Sequence, residues 1–302
     1  MGKTAFIFPG QGAQVCGMGQ DFYENSETAK AVFDRATKLL GFSVPELCFE
    51  KNDRLDITEY TQAAMVTTSV AMMKVMEERG IHADVAAGLS LGEYCALVAA
   101  GVMTADDAIR TVRERGILMQ EAVPAGVGGM SAVLGMTADE INAVVDEIPN
   151  VQVANYNCPG QLVIAGEKAA LAEAIENCKA AGARRALPLA VSGAFHTPLM
   201  AKAAAELRAY VADFTFSAPK MDIYSNLDGK VYDCSDLPAH LEQHMISPVR
   251  WTQLVKNGMA AGLTSACEIG PGKTLTGFAG KISKELTCKT VQDMAGVQAA
   301  AE

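Results

Sequence analysis

Short apolar segments alternate with amphipathic stretches over the first 123 residues. Apolar runs at residues 4–8 and 84–87 predict strands, and each run is followed by a glycine-containing turn. Helices are predicted at residues 91–100 and 104–123, with Pro124 ending the second one. Because strand, tight turn and helix recur, this region predicts an α/β domain with a parallel sheet.

Two further helices are indicated by residues typical of helix ends. Asp56 and Glu59 have the spacing of a capping box, and they predict the start of a long helix that Gly80 ends. Thr197 is predicted to cap a later helix that has Pro198 at its first position. The part of the chain that begins at Thr197 is therefore assigned to the same α/β pattern as the first 123 residues.

The pattern differs between residues 126 and 191. Strands are predicted there at residues 130–134, 151–154, 161–165 and 184–189, and helices at residues 138–147 and 168–181. The order βαββαβ is typical of a ferredoxin-like unit. We therefore divide the chain into a large domain, residues 1–125 and 192–302, and an inserted small subdomain, residues 126–191.

Composition and charge narrow the class of protein. The chain has 302 residues of which 50% are hydrophobic, which is enough for a sizeable core. Its net charge of −10 argues against nucleic acid as a partner, because phosphate binding needs a basic surface. Uncharged apolar stretches fall short of the roughly eighteen residues of a membrane span, so no membrane partner is predicted.

The cysteine pattern bears on the compartment. Eight cysteines are scattered along the chain without a C-x-x-C pair. Such a pattern favours reduced thiols in the cytoplasm over a disulfide framework or a zinc site. The first residues also lack the apolar length of a signal peptide, so a cytoplasmic location is expected.

Two glycine motifs partly match nucleotide-binding loops. Gly10-Gln11-Gly12 follows a predicted strand, but Val15 stands where a dinucleotide fingerprint needs its third glycine. Gly272-Lys273-Thr274 resembles the end of a phosphate loop, but Cys267 stands where its first glycine should be. Both segments are interpreted as tight turns, and no nucleotide cofactor is predicted.

The segment Gly88-Leu89-Ser90-Leu91-Gly92 lies between a predicted strand and a predicted helix. G-x-S-x-G in this setting is typical of a nucleophile elbow, because the glycines permit a sharp turn that exposes the serine. Free N–H groups at the start of the helix would stabilise an oxyanion beside Ser90. An ordinary serine in a glycine-rich turn is the alternative. We predict that Ser90 is an acyl-accepting nucleophile.

A serine nucleophile needs a base, and the chain has four histidines. His82 lies at the far start of the strand that leads to Ser90. His240 and His244 lie in a polar segment that is predicted to be a surface helix. His196 lies in a loop between a strand and a helix, where catalytic groups collect, and it is the best candidate for the base. No acid is evident to complete a triad, but a backbone carbonyl can also orient an imidazole.

Arg115 has an unusual position on the predicted helix 104–123. On a helical wheel it lies in the middle of the apolar face, beside Val112 and Met119. A buried guanidinium is costly unless a carboxylate meets it. That carboxylate can belong to the protein or to a substrate, and arginine suits the second option because its fork binds a carboxylate through two parallel bonds.

Several ordered segments, spanning nearly the whole chain, carry a family resemblance. They are Phe8-Pro9-Gly10-Gln11-Gly12, Gly88-Leu89-Ser90-Leu91-Gly92-Glu93-Tyr94, Arg115-Gly116 with Met119-Gln120-Glu121-Ala122-Val123-Pro124, Asn155 and Asn157 with Pro159-Gly160-Gln161, Phe195-His196, Gln243 with Pro248-Val249 and Trp251, and the turn from Glu268 to Gly272. These segments resemble those of malonyl-CoA:acyl carrier protein transacylases.

The resemblance implies a fold and a set of catalytic roles. The fold is an α/β-hydrolase-like large domain with a parallel sheet and an inserted ferredoxin-like subdomain. Ser90 would be the nucleophile and His196 its base. The backbone N–H groups of Gln11 and Leu91 would form the oxyanion hole. The main-chain carbonyl of Gln243 would orient His196 in place of a carboxylate.

The resemblance also implies the substrates. Malonyl-CoA would be the donor and the phosphopantetheine thiol of acyl carrier protein the acceptor, in fatty acid biosynthesis and without a bound cofactor or metal. Arg115 would hold the malonyl carboxylate, and Gln11 and Asn155 would contact the substrate. Phe195 would leave little room for an α-methyl group.

Two other classes of protein remain open on the residues alone. A serine esterase or thioesterase would share the elbow and His196, but it would have no use for Arg115 as a carboxylate anchor. A non-catalytic acyl-binding protein would not need both Ser90 and His196 in these settings.

Overall fold

Strands and helices alternate in a computed structural model, which describes residues 2–123, 126–189, 191 and 193–302. The strands are β1 Lys3–Phe8, β2 Val85–Gly88, β3 Gly128–Leu134, β4 Val151–Cys158, β5 Gln161–Glu167, β6 Arg185–Pro188, β7 Asp222–Tyr224, β8 Leu263–Ile269 and β9 Thr287–Val291. The helices are α1 Gln20–Asn25, α2 Glu27–Leu40, α3 Val44–Phe49, α4 Thr58–Glu78, α5 Gly92–Ala99, α6 Ala105–Glu121, α7 Ala138–Val145, α8 Lys168–Ala180, α9 Ala201–Val211, α10 Leu237–Ile246, α11 Trp251–Ala260, α12 Thr274–Ile282 and α13 Met294–Ala301.

The larger sheet is parallel. Its strands lie in the order β7-β2-β1-β8-β9, and each neighbouring pair runs in the same direction. On the central strand β1, side chains alternate between the two faces. Phe6 and Phe8 join the core cluster that contains α4 and α5, whereas Ala5 and Ile7 join the cluster that contains α11 and α12. Both faces of the sheet are therefore covered, as the α/β pattern predicts.

Helices α4 and α6 pack closely beside this sheet. At Gly116 of α6 an added Cβ would lie 2.6 Å from the Cα of Glu59, so glycine permits the close approach. Nearly all of α4 is buried, which explains why its sequence is apolar and small-polar on every side. The packing fixes the direction of the α6 face that carries Arg115.

The smaller sheet is antiparallel. Its strands lie in the order β4-β5-β3-β6, and α7 and α8 pack against it. Along the chain these elements follow the order βαββαβ, so the predicted ferredoxin-like arrangement is confirmed. Together with the parallel sheet, it confirms the predicted α/β fold class.

Two predicted helix caps are wrong. Ile57, not Asp56, precedes the first residue of α4, and no side chain caps that end. The Asp56 carboxylate instead accepts a hydrogen bond from Gln14 Nε2 at 2.9 Å. Thr197 and Pro198 do begin a helical segment as predicted, but its first part is a 3-10 turn, Pro198–Met200, and the Thr197 hydroxyl donates to the carbonyl of Ala194 and does not cap the helix.

The strands divide between the proposed domains without overlap. Strands of the parallel sheet come from residues 1–125 and 192–302, and those of the antiparallel sheet come from residues 126–191. This division supports our domain boundaries, which stay a prediction. Pro124, the predicted end of α6, and both junction residues 125 and 192 lie outside the described residues. Among the described helices, none combines the length and apolarity that crossing a bilayer requires.

Candidate active site

Ser90 lies on a sharp turn between β2 and α5. Its backbone is left-handed, with φ of 51°, a conformation that is strained for a residue other than glycine. An added Cβ at Gly88 would lie 1.9 Å from the carbonyl carbon of Gly92, and one at Gly92 would lie 2.1 Å from the carbonyl oxygen of Phe8. Glycine is therefore required at both positions, and the turn has the geometry of a nucleophile elbow.

His196 lies directly beside the serine. The Oγ of Ser90 is 2.7 Å from His196 Nε2. On the other side of the ring, Nδ1 lies 2.9 Å from the carbonyl of His244 and 3.1 Å from that of Ser247. Because carbonyls only accept hydrogen bonds, Nδ1 carries the proton and donates, which leaves Nε2 free to accept from the serine hydroxyl.

The predicted role of the Gln243 carbonyl is wrong. The carbonyls that orient His196 belong to His244, the next residue, and to Ser247 just after α10. Carbonyls in the last turn of a helix lack partners within the helix, so this end of α10 suits the purpose. Which carbonyl of the turn faces the imidazole depends on the rotation of the helix, and the sequence does not reveal it.

The predicted surface position of His240 and His244 is also wrong. His244 is fully buried, and the side chain of His240 is 10% exposed. The segment looks polar because its polar residues contact one another inside the protein. His240 Nε2 lies 2.5 Å from the carboxylate of Glu93, which is also fully buried.

The surroundings of His196 suit a neutral base. Burial, and then the nearby charge of Arg115, lower the pKa of His196 to about 3. The imidazole is therefore unprotonated at neutral pH and can take a proton from Ser90. The φ of His196 is 59°, so the base, like the nucleophile, has a left-handed backbone. Gln152 of β4 donates to its main-chain carbonyl at 2.8 Å.

Arg115 is buried, as the helical wheel predicted, with 1% of its surface exposed. Its guanidinium donates to Gln62 Oε1 at 2.8 Å and to Ser90 Oγ at 3.2 Å, and it lies over the ring of Tyr94. Its Nε has no hydrogen-bond partner. Within the described parts of the chain, no carboxylate forms an ion pair with Arg115. A structural ion pair therefore does not account for this buried cation.

Two backbone N–H groups beside the serine are unpaired. Neither Gln11 nor Leu91 donates its N–H to any atom of the described residues. Leu91 directly follows the nucleophile, and the Gln11 loop follows β1, the strand next to β2. The side chain of Gln11 accepts from Gln62 Nε2 at 3.3 Å, which links this loop to the partner of Arg115.

A cleft of about 550 Å³ opens above these groups. Of the predicted site residues, Gln11, Ser90, Arg115, Asn155, Phe195 and His196 line it. Leu91 and Gln243 are not among the residues that line it. Asn157 also lines the cleft, and its buried Oδ1 has no hydrogen-bond partner. In the described residues, no group of three His, Cys, Asp or Glu is arranged to hold a metal ion.

Sequence reasoning missed two residues of the site, Gln62 and Asn226. Gln62 lies at the start of the apolar stretch of α4, where a polar residue with no evident partner was a usable signal. Asn226 follows β7, and its Oδ1 accepts the backbone N–H of Ser90 at 2.7 Å. Residues at the carboxyl ends of parallel strands collect at functional sites, but β7 has only three residues and the sequence pattern did not reveal it.

A serine on an elbow, with a neutral histidine and free N–H groups beside it, defines an acyl-transferring or acyl-hydrolysing site. The chain matches the acyl transferase domain family over residues 5–298. Malonyl CoA-acyl carrier protein transacylase of Bacillus subtilis is 42% identical over 299 residues, 97% of this chain and 94% of that protein. The chain therefore belongs to the malonyl CoA-acyl carrier protein transacylases within the acyl transferase family.

Solved structures agree with this assignment. An acyl carrier protein S-malonyltransferase from Vibrio cholerae is similar with a TM-score of 0.94 and 41% identity, covering 98% of this chain and 99% of that one. A malonyl-transacylase solved in complex with a type II PKS acyl-carrier protein is similar with a TM-score of 0.96 and 39% identity, covering 99% and 98%.

Proposed function

We propose that this protein transfers the malonyl group of malonyl-CoA to the phosphopantetheine thiol of an acyl carrier protein, through a malonyl ester on Ser90, and so supplies the extender unit of fatty acid biosynthesis. The observation that carries this proposal is the buried guanidinium of Arg115, which has no carboxylate partner and lies 3.2 Å from the nucleophilic oxygen. A substrate carboxylate would supply the missing partner.

In the first half-reaction, Ser90 Oγ attacks the thioester carbonyl while its proton moves to His196 Nε2. The carbonyl oxygen becomes an oxyanion that accepts hydrogen bonds from the N–H groups of Gln11 and Leu91. When the tetrahedral intermediate collapses, the carbon–sulfur bond breaks and the proton on His196 passes to the departing CoA thiolate. Malonyl-Ser90 and free CoA remain.

The second half-reaction is the first in reverse with a different thiol. The phosphopantetheine thiol gives its proton to His196 and attacks the ester carbonyl of malonyl-Ser90. The oxyanion forms at the same two N–H groups, and the proton returns to Ser90 Oγ as the ester bond breaks. This exchange needs only a hydroxyl, an imidazole and two thiols, so the proposal includes no bound cofactor.

Arg115 selects the acyl group in this proposal. In malonyl thioesters a single methylene separates the reacting carbonyl from the carboxylate. The guanidinium of Arg115 is correspondingly close to the nucleophile, 3.2 Å from Ser90 Oγ. Gln62 Oε1 holds one arm of the fork in place. Phe195 lines the cleft beside the base, where it would limit α-substituents, and Asn155 would contact the rest of the donor.

Transfer in place of hydrolysis requires that a thiol, and not water, resolves the ester.

The free state of all eight cysteines fits a reducing compartment, and we propose a cytoplasmic location on that ground.

The test is to incubate the protein with malonyl-CoA, digest it and locate the adduct by mass spectrometry. We expect one malonyl group on Ser90, which holo-acyl carrier protein removes with formation of malonyl-carrier protein. Release of free malonate at the same rate with and without carrier protein would identify a thioesterase instead. Absence of any adduct or turnover would favour a non-catalytic acyl-binding protein.

A further inference from the structure

Asn226 forms three hydrogen bonds around the nucleophilic turn. Its Oδ1 accepts the N–H of Ser90 at 2.7 Å, and its Nδ2 donates to the carbonyl of Gly88 at 2.7 Å. Its own backbone N–H donates to Glu93 Oε2 at 2.9 Å. The side chain thus pairs backbone groups on both sides of the turn, and Asn226 itself is fully buried.

Glu93 holds the backbone of Asn226 in place. This fully buried carboxylate, in the first turn of α5, bonds to Asn226 with one oxygen and to His240 with the other. The ring of His240 stacks on Tyr232 with centroids 4.1 Å apart. A buried carboxylate is costly without such partners, so the pair fixes Glu93 and, through it, Asn226.

We propose that Asn226 is a positioning residue, which holds Ser90 in its left-handed conformation and which the buried Glu93–His240 pair keeps in place. The inference rests on the proposed function for its transfer readout. A left-handed backbone is unfavourable for a residue other than glycine, so surrounding bonds must maintain it. With the turn held, Ser90 Oγ stays 2.7 Å from His196 Nε2, and the adjacent N–H of Leu91 stays free to receive the proposed oxyanion.

In this proposal Asn226 takes no part in the chemistry itself, because its side chain bonds the backbone of the turn, and its Oδ1 also lies 3.4 Å from Nε2 of the buried His244. Its loss should therefore slow bond formation without weakening the grip of Arg115 on a substrate carboxylate. A displacement of about 1 Å in a reacting group can cost about 10²-fold in rate.

The test compares Asn226→Ala with the wild-type protein. We expect kcat per acylable site to fall about 10²-fold, while KM for malonyl-CoA changes little. Acylable sites are counted from the malonyl-Ser90 formed at completion, so unfolded protein does not affect the rate. Asn257→Ala is the matched control, since Asn257 anchors the same loop through Gly229 but does not contact the turn, and it should retain its kcat.

A second pair of variants covers the case in which Asn226→Ala fails to fold. Glu93→Gln retains acceptor oxygen for the backbone of Asn226, whereas Glu93→Ala does not. Glu93→Gln should therefore keep most of the kcat that Glu93→Ala loses, with KM again unchanged. Wild-type kcat in Asn226→Ala or in Glu93→Ala, or a loss that appears in KM alone, would overturn the proposal.

A serine-directed fluorophosphonate probe separates this inference from the proposed function. The probe reacts with an activated serine and does not require malonyl-CoA or a carrier protein. We expect Asn226→Ala to react more slowly with the probe at Ser90 than the wild-type protein or Asn257→Ala. If the wild-type protein reacts with the probe but never with malonyl-CoA, the proposed function fails while the positioning role of Asn226 stands. An equal probe rate in Asn226→Ala would reject the positioning role.

Discussion

The two walls of the cleft differ in how firmly their polar groups are held. The reaction wall contains Gln11, Ser90, Arg115 and His196. The subdomain wall consists of the lining residues from the inserted subdomain: Met130, Ala132, Asn155, Asn157, Gln161, Val163, Leu189 and Val191. Hydrogen bonds on the reaction wall join Arg115 to Ser90 and Ser90 to His196. The subdomain wall is mainly apolar, and the Oδ1 of Asn157 is unpaired. The side chains of one wall are thus linked to one another before the substrate arrives, whereas the other wall offers shape and an unpaired side-chain oxygen.

The largest expected effect comes from removing the nucleophile of the reaction wall. Ser90→Ala should lower malonyl transfer at least about 10³-fold, because no other group in the proposal can carry the acyl ester. The measurement is steady-state transfer to carrier protein together with the mass of the intact protein after malonyl-CoA. Ser43→Ala, which alters a helix cap at α3, is the control and should form the adduct normally. A malonyl adduct that survives in Ser90→Ala would place the nucleophile elsewhere.

Selection by charge gives the next effect. Arg115→Ala should lower kcat/KM for malonyl-CoA about 30-fold or more, since truncating one partner of a buried charge pair costs about 2–5 kcal/mol. Acetyl transfer, which has no carboxylate to bind, should fall less or rise. Arg110→Ala is the matched control, because Arg110 lies on the exposed face of the same helix. Equal malonyl transfer by Arg115→Ala would reject the assignment.

The burial of His196 predicts that the stability of the folded protein depends on pH. Its pKa is about 3 in the folded protein, well below the usual value near 6.5 that applies when the chain unfolds. Below pH 6.5 the unfolded chain binds a proton that the folded protein does not bind. Stability due to this group is thus fully present above pH 6.5, and it falls by roughly 1.4 kcal/mol per pH unit as the pH drops towards 3.

Urea unfolding at several pH values between 7.5 and 5 measures this slope. His196→Gln should reduce the slope of stability against pH by the amount that corresponds to about one bound proton. The buried His244, whose pKa burial also lowers, should supply part of the slope that remains. His82→Gln is the control substitution, because His82 is exposed in the folded protein and lies outside the site. An unchanged slope in His196→Gln would contradict the neutral buried base.

Local sequence patterns were enough to predict part of the reaction wall. The residues that the sequence did not reveal are held by contacts with residues far away along the chain. Ser90 follows from a glycine-flanked turn, and Arg115 from one face of one helix. Asn226 lies 136 residues from Ser90 along the chain, and only the folded sheet brings them together. His244 looked like part of a polar surface segment because its partners, such as Glu93, come from another helix. Hydrophobic periodicity reports burial against an apolar core, and it fails where buried polar side chains satisfy one another.

The smallest expected effect tests the subdomain wall. Asn157→Ala should raise KM for malonyl-CoA only a few-fold and leave kcat nearly unchanged, because it removes one neutral hydrogen-bonding group, worth about 0.5–1.5 kcal/mol, that lies away from the reacting atoms. Asn142→Ala is the matched control: Asn142 is in the same subdomain, accepts from Tyr156 at 2.9 Å and lies outside the cleft. Initial rates over a range of malonyl-CoA concentrations separate the two constants. If Asn157→Ala instead lowered kcat as strongly as Asn226→Ala is expected to, the subdomain wall would share in holding the reacting groups, and the contrast between the two walls would fail.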